Sequence, residues 1–236
     1  MVSFIKNNFF INKMKILLGC PTAEPKKYCI NEWLAGIKAL KTPVDVILVD
    51  NSPTDDYINE LKSYGLTVFK DSSEGDLKEK IARSRNIIRE YALKNNYDYF
   101  FSLEQDVIPP PDAIEKLLAA KKDIISGVYY TIYQIEGKRM LMPLIWEAKD
   151  EESMNFMSIQ AREGREGKPG LFRIKACGLG VILMKIDVLR DIIFRATPET
   201  YDDIMFCLDA AKCGYEIWAD TGVQCDHILG DQLKHE

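Results

Sequence analysis

The chain has 236 residues, 47% hydrophobic and 28% charged, with a formal net charge of −5. That is enough apolar sequence for a sizeable core, and the acidic balance argues against nucleic acid as a partner, which selects a basic surplus. No stretch approaches the roughly 18 apolar residues of a membrane span. The six cysteines form neither a CxxC pair nor a zinc spacing, which favours a reducing, cytoplasmic setting over a disulfide framework.

Residues 1–13 lack both a signal-peptide core and a small-residue cleavage site. A second start-like sequence, Met14-Lys15-Ile16-Leu17-Leu18, opens the first good strand. The first 13 residues are therefore expected to be a disordered extension ahead of one domain over 14–236. The alternative is a short amphipathic anchor, peripheral at a membrane.

Strand and helix signals then alternate. Lys15–Gly19 reads as a strand ending at a Cys-Pro-Thr turn, and residues 26–40 carry Tyr28, Trp33, Leu34, Ile37 and Leu40 at roughly helical spacing. Val44–Val49 is a second strand, running into the polar turn Asp50-Asn51-Ser52-Pro53-Thr54-Asp55. A short helix over Asp56–Tyr64 closes at Gly65, and Leu66–Lys70 is a third strand. Asp76 with Glu79 has the form of a capping box opening a helix over 77–94.

Residues 97–112 follow, an aromatic-rich run that stops on two carboxylates, Glu104 and Asp106. Pro109-Pro110-Pro111 cannot continue a strand, because proline supplies no ladder donor. Asp112 is placed as the N-cap of a helix over 112–120, and Ile124–Tyr130 as the next strand. This βαβαβαβαβ order predicts an α/β, Rossmann-like domain with a mostly parallel central sheet flanked by helices.

In the second half, residues 147–170 are charged and glycine-bearing, without a sustained period, and a loop this long inside a compact domain is expected to be either functional or disordered. Val181–Lys185 is a strand, Asp187 is placed as the cap of a short helix, and Asp203–Cys213 is a helix ended by Gly214. Glu216–Ala219 and Val223–Cys225 complete a smaller, mixed C-terminal sheet portion.

In α/β sheets ligands bind at the carboxyl ends of the strands. Two carboxylates at such an end suit a hard cation, Mn²⁺ or Mg²⁺, which takes one or two carboxylates plus diphosphate oxygens. Solvated charges at a strand end are the plain alternative. Asp202-Asp203 opens a helix, where the dipole favours acidic residues, but one of the pair would suffice for a cap. His227 stands just past the last strand, as a ligand or as a structural histidine. Arg83, Arg85 and Asn86 lie near a helix N-terminus, where cations oppose the dipole; they face either a phosphate or solvent. Cys177-Gly178-Leu179-Gly180 permits close approach of backbone to a ligand, or forms a turn. The chain contains neither a Walker A loop nor a GxGxxG after the first strand.

Taken in order, seven segments resemble the family 2-like glycosyltransferases of the GT-A fold. They are Val49–Asp55, Ala82–Asn86, Tyr97–Val107, Ile125–Tyr130, Ala176–Gly180, Asp202–Cys207 and Trp218–His227, and the likeness covers about residues 14–230. The resemblance implies a hexosyltransferase of class EC 2.4 with a nucleotide-diphosphosugar donor, UDP- or GDP-linked, at the carboxyl edge of the sheet. Pro21, Thr22 and Asp50 look like nucleoside contacts, with Arg83 or Arg85 near the base and diphosphate. Glu104-Gln105-Asp106 sits where the family has its Asp-x-Asp motif, so Asp106 is implied as a metal ligand and His227 as a second one. Glu104, which departs from that pattern by replacing the usual first Asp, and Gln105 are implied as donor contacts. Asp203 matches the family's catalytic base, acting with inversion on an acceptor hydroxyl, or an acceptor-binding group if the configuration is retained. Asp202, Gly178 and Gly180 fall on the acceptor side, and the segment 147–170 is the candidate for a closing loop there. The acceptor itself is left open. The rivals are a sugar-nucleotide nucleotidyltransferase, disfavoured by the first turn Gly-Cys-Pro-Thr-Ala-Glu-Pro, and a catalytically inactive nucleotide-sugar-binding module.

Overall fold

The central strands form where apolar residues run without an interrupting charge. Strand β1 (Ile16–Thr22) alternates its side chains between two cores, as the period of two requires. Ile16, Leu18 and Cys20 enter one core and Leu17 the other. The same division recurs in β2 (Asp45–Asp50) and in β4 (Tyr99–Leu103), where Phe100 and Phe101 are both fully buried but on opposite faces. Burying each phenylalanine contributes about 1.5–3 kcal/mol. The computed structural model describes residues 14–149, 154–156 and 169–229.

Among these residues the main sheet has eight strands in the order β11-β14-β6-β13-β4-β1-β2-β3. It is completed by β3 (Thr67–Lys70), β6 (Ile124–Val128), β11 (Leu171–Ile174), β13 (Val181–Lys185) and β14 (Ile217–Gln224). Strands β1 to β4 pair in parallel, as do β6 and β14, whereas β13 is inserted antiparallel between β4 and β6, and β11 runs antiparallel to β14. The sheet is thus mostly parallel, as the alternating pattern predicts.

Helices α1 (Ile30–Ala39), α2 (Asp56–Ser63) and α4 (Ala113–Ala119) cover one face, burying Trp33, Leu61 and Leu117. Helices α3 (Leu77–Lys94), α5 (Ile186–Asp191) and α6 (Asp202–Lys212) cover the other, through Ile88, Leu189 and Phe206. The predicted capping box starts α3: the Glu79 amide donates to Asp76 Oδ1 at 2.9 Å and the Asp76 amide to Glu79 Oε2 at 3.3 Å. Such a cap is worth roughly 1 kcal/mol.

Small antiparallel pairs decorate the sheet. They are β5 (Val107–Ile108) with β15 (Asp226–His227), the hairpin β7 (Tyr130–Ile135) with β8 (Lys138–Pro143), and β9 (Ile145–Ala148) flanked by β10 (Met154–Phe156) and β12 (Ala176–Cys177).

Several sequence expectations are corrected. Residues 26–40 begin as a 3-10 turn (Glu24–Cys29) before α1, since Pro25 can start a helix but supplies no amide donor. Asp112 holds the N-cap position of α4 as expected, but its side chain makes no cap hydrogen bond and turns to Lys116 instead; Asp187 lies in the first turn of α5, paired with Arg190, and Lys185 holds the N-cap position there. Residues 124–130 split into β6 and the start of β7. The two short strands expected at 216–219 and 223–225 are one strand, β14, with a register irregularity between Ala219 and Gln224 that absorbs Asp220-Thr221-Gly222. Within the loop expected over 147–170, residues 147–148 and 154–156 are paired strand. The rest of that segment, apart from 149 and 169–170, and the expected extension 1–13 lie outside the described residues.

Candidate active site

Parallel pairing brings the carboxyl ends of β1, β2, β3 and β4 to one edge. Thr22 is in register with Asp50, and Asp50 with Lys70. Leu103, the last residue of β4, pairs with Val181, and the Glu104 amide donates to the Gly180 carbonyl at 2.9 Å. The chain then turns, and β5 pairs with β15 so that His227 stands opposite Val107, one residue beyond Asp106. The Ile228 amide closes the corner by donating to the Asp106 carbonyl at 2.8 Å.

Asp106 is buried, and its two oxygens have different surroundings. Oδ2 receives the Lys26 ammonium and lies 3.3 Å from His227 Nε2. Oδ1 is buried with no hydrogen-bond partner, a costly state for a carboxylate oxygen unless something fills it. Burial works against the charge of Asp106, but the hydrogen bond from His227 and the charge of Lys26 outweigh it and hold the pKa below the usual carboxylate range. His227 Nδ1 lies 2.6 Å from the Tyr130 carbonyl. A carbonyl can only accept, so Nδ1 carries hydrogen and Nε2 is the nitrogen turned to Asp106. Metal-binding imidazoles are commonly oriented by such a backbone acceptor.

These residues fit a divalent cation supplied with further oxygens by a ligand. Asp106 Oδ1 and His227 Nε2 are two donors, and Mg²⁺ or Mn²⁺ is usually completed by diphosphate and water. No group of three or more His, Cys, Asp or Glu that could hold a metal occurs among the described residues.

Glu104 has a different task. Arg85 is almost sealed from solvent and donates from Nη2 to Glu104 Oε1 at 2.7 Å, from Nη1 to Ser102 Oγ at 2.8 Å and from Nε to Asp202 Oδ2 at 2.6 Å. The extra methylene of Glu104, relative to the expected Asp, carries its carboxylate to this guanidinium. Burial raises the Glu104 pKa, Arg85 opposes the rise and Asp106 adds to it. Gln105 is a strut: its Nε2 donates to the Tyr57 hydroxyl at 2.7 Å and to the Lys26 carbonyl at 2.8 Å, while its Oε1 accepts from Thr22 Oγ1.

Asp203 sits in the first turn of α6, part-buried, with Oδ1 accepting from the Ile204 amide at 2.7 Å. Burial pushes its pKa up to about 6, helped by the charges of Asp202 and Glu104 and opposed by the Ile204 amide and Arg85. Neither Asp202 nor Asp203 is the cap of α6; that position is Tyr201. Asp202, expected on the acceptor side, is buried against Arg85.

A cavity of about 360 Å³ opens beside these groups. Its walls include Pro21, Thr22, Asn51, Leu77 and Ile81, and Lys26, Arg85, Glu104 and Gln105 close it on the polar side. Of the expected donor contacts, Pro21, Thr22, Arg85, Glu104 and Gln105 therefore line one space. Asp50 and Arg83 do not line it. Asp50 is fully buried, receiving the Ser52 amide on Oδ1 at 3.1 Å and Lys70 Nζ on Oδ2 at 2.8 Å. Arg83 is held by Asp71, at 3.4 Å, and by the Ser73 carbonyl, at 3.1 Å.

The space left by Gly178 and Gly180 is taken by protein. A Cβ on Gly178 would lie 2.2 Å from the Tyr129 hydroxyl oxygen, and one on Gly180 would lie 2.5 Å from Tyr129 Cζ. The Gly180 amide donates to that hydroxyl at 3.1 Å. Tyr129, not a ligand, accounts for both glycines.

Sequence reasoning missed Lys26, Asn51, Leu77 and Ile81. A cation directly after Pro25 in the first strand-end turn was a usable signal for Lys26. An apolar residue on the first turn of a polar helix was one for Leu77, which is 59% exposed.

The family described as Glycosyl transferase family 2 matches residues 28–180. No curated protein matches the sequence. The structure of GalNAc-T7 with UDP, GalNAc and Mn²⁺ is similar with a TM-score of 0.65 at 12% identity, over 93% of this chain and 44% of that one. That of S. aureus TarS 1-349 in complex with UDP-GlcNAc is similar with a TM-score of 0.57 at 15% identity, over 94% of this chain and 61% of that one. The chain thus spans less than two thirds of either neighbour, and the likeness is one of fold.

Proposed function

This chain belongs to glycosyl transferase family 2 and has the GT-A architecture of its neighbours, and on that premise we propose that it moves a hexose from a nucleotide-diphosphosugar to an acceptor hydroxyl, with inversion and with Mn²⁺ or Mg²⁺. The single observation that carries the reading is Asp106, whose Oδ1 is buried and unpartnered while its Oδ2 faces Nε2 of a His227 oriented by the Tyr130 carbonyl. UDP is the favoured nucleotide, because both neighbours are described with a uridine ligand.

The nucleoside lies in the cavity between Pro21, Thr22 and Leu77, with Gln105 fixing its polar wall. Asp106 and His227 hold the cation, which when bound stabilises the negative charge of the departing diphosphate. Asp203 takes the proton from the acceptor hydroxyl as its oxygen attacks the anomeric carbon. A pKa near 6 leaves it ionised at neutral pH yet basic enough to accept a proton. Arg85 sets the spacing by joining Asp202, next to Asp203, to Glu104, two residues before Asp106. Residues 14–236 act as one catalytic unit.

The test is release of nucleoside diphosphate from UDP- and GDP-sugars with Mn²⁺, by wild type and by Asp203→Asn. Turnover by wild type alone supports the reading. Binding without turnover across sugars and acceptors would leave a binding module in its place.

A further inference from the structure

The candidate site brings two cations to the cavity wall, Lys26 and Arg85, and they differ in how far they are committed. Arg85 is 2% exposed and spreads its donors over Asp202, Ser102 and Glu104, so two carboxylates already neutralise it. The Lys26 side chain is 41% exposed and its ammonium rests on Asp106 Oδ2, a carboxylate that also faces His227. One lysine thus spans the cavity and the metal-binding carboxylate. A diphosphate joining a nucleoside in that cavity to a cation on Asp106 must pass the same point.

The backbone beneath Lys26 is fixed, while its side chain is a flexible four-carbon stem. Gln105 Nε2 donates to the Lys26 carbonyl at 2.8 Å, and the Tyr28 hydroxyl ties the same 3-10 turn to the Ile228 carbonyl at 3.0 Å. The turn is therefore stitched to both the Glu104–Asp106 corner and the His227 segment. The ammonium can change partner without the chain moving.

We propose that Lys26 is a donor-binding residue, the protein's own cation for the diphosphate, exchanging its contact with Asp106 for the phosphate oxygens. The proposal rests on the nucleotide-sugar reading above and adds a charge that is fixed to the chain. Two sources of positive charge then act on the diphosphate: the bound cation, through Asp106 and His227, and Lys26 directly. Part of the affinity for the diphosphate is accordingly independent of metal.

Calorimetric titration of UDP, GDP and uridine, each in EDTA and in Mn²⁺, tests this on wild type, Lys26→Met and Lys26→Arg. In EDTA, Lys26→Met is expected to weaken the nucleoside diphosphate about tenfold or more, as loss of a charge-assisted contact does. Uridine affinity should not change, and Lys26→Arg should restore most of the loss. Lys26→Arg keeps the test valid if Lys26→Met, which strips a partner from buried Asp106, does not fold: it must then bind the diphosphate more tightly than uridine in EDTA. Equal diphosphate affinity in wild type and Lys26→Met, or an equal loss for uridine, overturns the role of Lys26 and leaves the nucleotide-sugar reading standing. Failure of wild type to bind either diphosphate under both conditions overturns both.

Discussion

Arg85 Nε and Asp202 Oδ2 lie 2.6 Å apart across 117 residues of sequence, with both side chains almost closed to solvent. This bond ties α3 to α6 and sets the helix that carries Asp203. Removing one member of a buried pair leaves the other charged and uncompensated, at a cost of about 3–5 kcal/mol. Asp202→Ala is expected to lose stability on that scale, measured by the urea midpoint, because Glu104 offsets only part of the Arg85 charge. A loss within about 0.5 kcal/mol, typical of a surface change, would show that Arg85 is satisfied without it.

Asp203 should give the activity an acidic limb. Its pKa is raised by burial from the model-compound value of 3.8 to about 6, so the base is protonated and inactive below that pH. The rate of transfer should rise through pH 6 and level off above it. Stability should run the other way: the folded state binds the Asp203 proton more tightly than the unfolded chain does, so this group's contribution declines as pH rises from about 4 to about 6. Asp203→Asn should abolish the limb and lower transfer by roughly 10²–10⁴-fold, with donor affinity unchanged in calorimetry. A rate already flat at pH 5 would remove Asp203 from proton transfer.

Gly178 and Gly180 make separable predictions. Alanine at either site meets Tyr129, and overpacking of this kind costs typically about 1–3 kcal/mol. For Gly178 the clash is with the hydroxyl oxygen at 2.2 Å, with Cζ farther off at 3.1 Å; for Gly180 it is with Cζ itself at 2.5 Å. Adding Tyr129→Phe should therefore relieve Gly178→Ala and leave Gly180→Ala nearly as unstable. Thermal melts of the four variants distinguish this from a pair of glycines kept open for a ligand, for which Tyr129→Phe would relieve neither.

What the sequence disclosed, and what it hid, follows from the range of each interaction. The Asp76–Glu79 capping box spans three residues and is realised as expected. The Glu104–Asp106 strand end is marked by an apolar run meeting carboxylates and then prolines. Strand β13 is legible as a strand, but a continuous apolar run carries no direction, so its antiparallel insertion between β4 and β6 is not encoded in its sequence pattern. Asp112 stands at the N-cap of α4 and Asp187 in the first turn of α5, yet a lysine four residues on and an arginine three residues on take their carboxylates. Lys26 reaches Asp106 across 80 residues, a contact that local spacing does not encode.

The central claim, a metal-assisted nucleotide-sugar site built on Asp106, is tested most directly by thermal shift of wild type and Asp106→Asn. UDP-GlcNAc, GDP-mannose and ATP would be compared, each in EDTA and in Mn²⁺. A ligand at about 100 times its dissociation constant stabilises the fold by roughly 2.7 kcal/mol, a readily visible rise in melting temperature. The account predicts that Mn²⁺ enlarges the shift given by one nucleotide-sugar in wild type, and that Asp106→Asn loses the enlargement. A shift that ignores both Mn²⁺ and the substitution, or one confined to ATP, would contradict it.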